Sequence, residues 1–300
     1  MSSVSPAAPS RAAFFILLFT ACLFGANHVA ARLAFNHGLN VATAVLLRSL
    51  VTATVVGLLV WVHRVPRQLI GRQRRYLLLV GSLIALQSLC LYAAVARLPV
   101  ALALLTFNTY PLWTALFAFV LYRHRPERAV LLAMPILLCG LALALDVFGA
   151  TSGAGAVSQW QQMGAGVALA LVAAAVFGAA LVFTQHELAS IDGRWRTALT
   201  MGLVGCWALL AIPFQGLHLP QGAEGWWGMA GLTLCYGTAF TIMFTLLPRL
   251  GVVGSSPILN VEPVAALVLA WGLLGQSIAP VQLVGALLVV GTVITLGLRR

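Results

Sequence analysis

Residues 97–111 read RLPVALALLTFNTYP, and residues 249–263 read RLGVVGSSPILNVEP. A shift of 152 positions matches Arg97 with Arg249, Leu98 with Leu250, Val100 with Val252, Asn108 with Asn260 and Pro111 with Pro263. Apolar stretches coincide easily by chance, so the paired Asn and Pro carry the comparison. A second echo sets Phe24-Gly25-Ala26 against Phe177-Gly178-Ala179, at a shift of 153. The chain reads as one unit written twice.

The surroundings of these segments decide what the unit is. Of 300 residues, 61% are hydrophobic and 8% charged, where a soluble domain carries about 25% charged residues. The apolar residues come in blocks of roughly 20, the length that crosses ~30 Å of hydrocarbon at 1.5 Å per residue. The blocks place spans at 12–33, 41–62, 76–96, 100–122, 128–147, 162–184, 196–216, 226–246, 252–273 and 279–298. Their hydrophobicity is continuous, without the alternation of barrel strands, so they read as helices. The expected fold is an all-α integral membrane protein of ten transmembrane helices. The run after Arg11 continues to about Leu33, which favours a retained first helix over a cleaved signal peptide.

Net charge is +11, and all 17 basic residues are arginines. In a soluble protein that balance would point to nucleic acid. Here the arginines sit in short loops between apolar blocks, and the bilayer explains them instead. With a cytoplasmic N-terminus, fourteen arginines fall on the inner side and only Arg32, Arg48 and Arg97 elsewhere. That bias puts both termini inside. Residues 1–11 form a cytoplasmic N-terminus and 12–148 the first five-helix repeat. The Gly/Ala/Ser-rich residues 149–161 form an external linker, and 162–298 the second repeat. Because five is odd, the second half enters the membrane from the opposite side. Such inverted repeats are the architecture of secondary transporters, which open a central site to each face in turn.

Candidate site residues follow from cost. Glu262 is the acidic residue deep inside an expected span, about ten residues into the ninth and near the midplane, where a bare carboxylate is expensive. It reads either as a contact for a substrate ammonium or protonatable coupling group, or as a structural residue bonded to Arg48 of the second helix. Asn108 and Asn260 each precede a proline by three residues. Since proline removes a backbone donor, each helix is expected to kink or open there, as is tolerated along a wet cavity. Packing between helices is the competing role for each Asn. Asn27 and His28 in the first helix, one turn after Phe24, form a second polar group, with His28 a further coupling candidate.

Gln87, Ser88 and Tyr92 share the third helix; Tyr110 and Trp113 lie three apart on the fourth. Phe177 opens the second echo, Tyr236 and Thr241 mark the eighth helix, and Ser256 lies in the ninth. Aromatic walls with a few hydrogen-bonding groups suit a ligand with an apolar body and a polar end. Trp160, Trp226 and Trp227 fall near outer interfaces and read as an aromatic belt. Gly178, Gly202, Gly205, Gly285 and Gly291 lie within helices, where they allow close packing.

Other classes find little support. The five cysteines show no CxxC pairing, so neither a disulfide framework nor a metal site is expected. No cofactor is expected. No Walker lysine exists, because the chain has no lysine, so the chain holds no ATP-binding domain. An intramembrane enzyme would need converging groups, and Gly254-Ser255-Ser256 has no later histidine to serve it. A channel would not need an inverted repeat. The expected partners are a small-molecule substrate and the lipid bilayer, with the chain acting as a monomer.

At LFGANHVAARLA (23–34) and NVEPVAALVLAWGLLGQ (260–276), and over nearly the whole chain, the sequence resembles the EamA-type branch of the drug/metabolite transporter superfamily. The resemblance implies an inner-membrane exporter with a central cavity. Bacterial aromatic amino acid exporters of the YddG type are the nearest functional group it suggests. Where the family often carries a basic residue near the end of helix one, this chain has Arg32. Where it carries an acid after helix nine, this chain has Gln276, which departs from the residue to which ion coupling is attached.

Overall fold

Hydrocarbon offers the backbone no water, so each apolar block must close its hydrogen bonds within itself as a helix. The structure, a computed structural model, describes residues 11–124, 128–144, 155–243, 261–276 and 279–298. Among them all regular structure is helical, in eleven segments. The first half holds α1 (Arg11–Asn36), α2 (Val41–Val62), α3 (Gly71–Val95), α4 (Val100–Phe107), α5 (Tyr110–Tyr122) and α6 (Arg128–Ala144). The second holds α7 (Gly155–Glu187), α8 (Gly193–Gln215), α9 (Gly222–Thr241), α10 (Glu262–Leu274) and α11 (Pro280–Leu298). Among the described residues six spans are long and apolar enough to cross a membrane, Val100–Tyr122 counting as one. Leu132, Leu234 and Leu273 are 70%, 66% and 71% exposed, an outward apolar surface that suits lipid as solvent and would aggregate in water.

Local chemistry sets the helix ends. Asn40 caps α2 by accepting from the Thr43 amide at 3.0 Å. Asp192 caps α8 through the Arg194 amide at 2.9 Å. The Arg194 guanidinium beside it holds the Asp192 carboxylate below its usual range. The expected break at Asn108 occurs: α4 ends at Phe107, and α5 starts at Tyr110. Pro111 has no N–H to return to the preceding turn, so the ladder is interrupted there.

The start of α7 at Gly155 differs from expectation, since residues 155–161 were assigned to the external linker. Their Gly/Ala/Ser composition resembles a loop. Without a proline, however, an established helix extends through them at little cost.

The two halves are built alike in detail. Helices α5 and α10 each have 13 residues and each follow a residue in the right-handed region, Thr109 (φ −73°, ψ −7°) and Val261 (φ −75°, ψ −11°). Each carries a proline at its first turn and ends in a left-handed residue, Arg123 (φ 59°) and Gly275 (φ 64°). Only glycine takes that conformation freely, so Arg123 holds it under strain.

The glycines of the second echo explain how the halves interlock. A Cβ on Gly25 would come within 2.9 Å of the Ala266 amide and 3.0 Å of the Glu262 carbonyl. One on Gly178 would come within 2.8 Å of the Thr114 amide and the Trp113 Cβ. Helix α1 therefore packs on α10 as α7 packs on α5. Gly205 and Gly285 also sit against neighbouring helices, whereas Gly202 and Gly291 meet nothing within 4 Å among the described residues.

Helix direction separates two ends. At one end Arg72 forms a two-pronged pair with Glu187 (2.8 and 2.9 Å), and Tyr122 donates to the same carboxylate at 3.0 Å. The ring of Tyr122 stacks on His186 at 3.9 Å. This ties the start of α3 to the ends of α5 and α7. At the other end His37, just past α1, lies 3.1 Å from Glu224 at the start of α9. Arg72 and Glu224 are 152 positions apart, so each tie uses the matched position at the start of α3 or α9. The first end also carries Arg64, Arg67, Arg74, Arg75, Arg123, Arg194 and Arg196. The second carries Arg32, which donates to the Val95 carbonyl at 2.8 Å, and Arg97. Helices α1 and α7 thus run in opposite directions, as an inverted repeat requires.

Candidate functional site

Helices α1, α2 and α3 of the first half and α9 and α10 of the second converge on one buried polar cluster. Phe24, Asn27 and His28 share a face of α1, because residues three and four apart are neighbours on a helix. Asn27 is fully buried and His28 is 6% exposed. The Tyr92 hydroxyl on α3 donates to Asn27 Oδ1 at 2.6 Å and accepts from Arg48 Nη1 of α2 at 3.0 Å. Arg48 Nη2 donates to Ser88 Oγ at 3.1 Å. Ser88 in turn reaches Gln87 Oε1 at 3.4 Å, which sets Gln87 at the edge of the cluster.

Aromatic rings form the opposite wall. The Arg48 guanidinium lies 3.8 Å from the centroid of Tyr236 on α9 and 4.6 Å from that of Tyr92. A cation over a ring face gains about 2 kcal/mol when desolvated, which helps hold this charge. Tyr236 donates to Met201 Sδ at 3.7 Å. Phe240, one turn on, lies 4.4 Å from Tyr236, and Phe24 meets both rings edge-on at 6.2 and 5.5 Å.

Glu262 opens α10, where the positive end of the helix dipole favours a carboxylate. Its Oε1 lies 3.3 Å from His28 Nε2, and a quarter of its side-chain surface stays open against 7% for His28. The suggested bond to Arg48 is not made. Gly25 brings α10 against α1, so the base within reach is His28 of α1 and not Arg48 of α2. Glu262 stands in the first turn of α10 rather than deep within a described helix. Three polar atoms of the cluster, Asn27 Nδ2, His28 Nδ1 and Arg48 Nε, are buried with no hydrogen-bond partner among the described residues.

The other expected residues lie apart from this cluster. Tyr110 and Phe177 form an aromatic group with Phe107, at 5.2 to 5.7 Å between centroids. This is the first-half image of the Glu262 position, with Tyr110 where the second half has the carboxylate. Trp113 packs against Gly178. Asn108 turns back to donate to the Leu104 carbonyl at 2.9 Å, closing the end of α4. Thr241 donates to the Gly237 carbonyl at 2.8 Å. Asn260 and Ser256 lie outside the described residues.

Gln276 accepts from the Val100 amide at 3.0 Å and so caps α4 from the end of α10. The shallow hollow of about 630 Å³ lined by Trp61, Val62, Arg64, Val65 and Arg67 is at the arginine-rich end and touches none of the cluster. The sequence reading did not nominate Arg48 as a site residue, although an arginine inside an apolar block was the visible signal. Phe240 left only its spacing of four from Tyr236.

The family model of EamA-like transporters matches the chain twice, over residues 11–145 and 164–298. The chain belongs to the EamA-like transporter family. Each match covers one five-span half of this EamA-like transporter, and their starts are 153 residues apart, the shift of the second echo. Membership makes the chain a multi-pass membrane transporter of small molecules. No curated protein matches it. A solved structure, a crystal structure of a protein, aligns over 97% of this EamA-like chain and 100% of its own, with a TM-score of 0.60 and 20% identity. At that identity the likeness concerns the fold alone.

Proposed function

We propose that this EamA-like protein exports small amphipathic metabolites, foremost amino acids with aromatic or other apolar side chains, by alternating access at the junction of its repeats. The observation that carries this reading is the buried cluster to which both halves contribute, with the His28–Glu262 pair beside an aromatic wall. A substrate ammonium group pairs with Glu262, and its apolar body rests on Phe24, Tyr236 and Phe240. Asn27, Gln87 and Tyr92 supply hydrogen bonds. Tyr110, Trp113, Phe177 and Thr241, with Asn260 and Ser256, line the path as the repeats exchange positions. His28 and Glu262 also form the pair through which a proton would be coupled.

The arginine-rich end faces the cytoplasm of a bacterial inner membrane by the positive-inside rule, with both termini inside and the chain acting as a monomer. Drugs and other metabolites are the competing substrates, and an aromatic wall would hold them too.

Counterflow in proteoliposomes separates these. Vesicles preloaded with one unlabelled amino acid should accumulate labelled phenylalanine, methionine or threonine saturably, and Glu262→Gln should reduce this more than it reduces uptake of an uncharged analogue. A coupling role predicts instead that Glu262→Gln keeps exchange but loses its response to a pH gradient. Folded protein that carries no amino acid in either direction would remove amino acids as substrates.

A further inference from the structure

We infer that Arg48 is the anchor for a substrate carboxylate, so that the cluster is a two-poled receptor for zwitterions; this rests on the amino acid reading above. Arg48 is 2% exposed and sits inside a membrane helix. An ionised side chain there is costly unless something compensates it. Among the described residues no carboxylate pairs with it. Its partners are two neutral hydroxyls and two ring faces, and its Nε has no partner. A guanidinium is built to hold a carboxylate through two parallel N–H groups. With Nη1 and Nη2 on Tyr92 and Ser88, the unpartnered Nε is a donor still to be satisfied by an added acceptor, and the hydroxyls can turn as it enters.

The negative pole is separate. Glu262 is already bonded to His28, and its open surface makes it the natural partner for an ammonium. Tyr92 stands between the poles, bonded to Arg48 on one side and with its ring 5.5 Å from the His28 ring on the other. The unpartnered Asn27 Nδ2 lies in the same interval, bonded through Oδ1 to the same hydroxyl. Phe24 and Phe240 flank Tyr236 and provide the apolar wall. A ligand with carboxylate and ammonium on one carbon and an apolar side chain meets all three features. A simple cationic amine meets only Glu262 and is repelled by the bare guanidinium.

The test uses the full chain in lipid nanodiscs and four probes: phenylalanine, 3-phenylpropionate, phenylalaninamide and phenethylamine. Binding is read by calorimetry, with folding checked by gel filtration and thermal melting. The intact protein should bind phenylalanine best, retain 3-phenylpropionate, and bind the two probes lacking a carboxylate about tenfold to a hundredfold more weakly. Arg48→Gln should lose the carboxylate probes selectively. Arg48→Lys, which keeps the charge and guards against misfolding, should recover them in part. Glu262→Gln should weaken phenylalanine but not 3-phenylpropionate.

If Arg48→Gln and Arg48→Lys weaken all four probes equally, Arg48 is structural and the inference is overturned. Preference for phenethylamine or phenylalaninamide over phenylalanine would also overturn it, leaving a transporter of amines. Failure of folded, intact protein to bind any probe would instead bring down the amino acid reading, and the zwitterion receptor with it.

Discussion

Tyr92 is the residue on which the cluster turns. Fully buried, it serves Arg48 and Asn27 with a single hydroxyl. Tyr92→Phe keeps the ring and leaves an arginine N–H and the Asn27 oxygen without partners, a loss of about 1–3 kcal/mol for each buried group so stranded. It should lower resistance to SDS unfolding and reduce transport, while Tyr76→Phe, at the arginine-rich end, should do neither. Part of this scale was legible in advance. A polar residue in an apolar block announces its own expense, which is why Asn27, His28, Tyr92, Tyr236 and Glu262 were nominated and meet in space. Their pairing was not legible, because His28 and Glu262 belong to opposite halves and the packing of α1 on α10, close at Gly25, brings them together. Arg48 was read as a partner for Glu262, since charge alone does not reveal which helices touch.

Among the elements, the broken span is the informative one. Asn108 and Pro111 foretold the interruption between α4 and α5, while the matching expectation at Asn260 lies outside the described residues and Pro263 sits in the first turn of α10. The Asn108 amide closes the end of its own helix, as short amide side chains do. The start of α7 could not be read from a Gly/Ala/Ser stretch that folds or loops according to the helix that follows it. The glycine joints predict a matched pair of effects. Gly25→Ala drives a methyl into the backbone of α10 and Gly178→Ala one into α5, so each should cost about 1–3 kcal/mol. Thermal melting of Gly202→Ala, where nothing lies within 4 Å, should stay near that of the unaltered protein.

Across the molecule, the two end ties differ in how well they are shielded and bonded. Glu187 is shielded, with 6% of its side chain exposed, and is held by Arg72 and Tyr122, while the Glu224 carboxylate is 74% exposed and meets a single histidine. His37 Nδ1 lies 2.9 Å from the Leu33 carbonyl, so its proton sits there and Nε2 faces Glu224. That pair is attractive only when the ring carries both protons. Glu187→Gln should therefore raise labelling of a cysteine introduced at the arginine-rich end. Glu224→Gln should raise it at the other end. Equal labelling of both ends in both variants would show that the ties hold nothing shut.

The copying of one half into the other has a consequence for balance. Were the halves identical, the two opposed conformations would be mirror twins with equal energy, and the protein would rest in neither. Any preference must come from positions where the copies have drifted apart, such as Tyr110 against Glu262, Arg123 against Gly275, or Arg72 against Glu224. Those mismatches act as small weights on a level beam. Restoring likeness at the last two, away from the buried cluster, would alter where the molecule idles without altering what it carries.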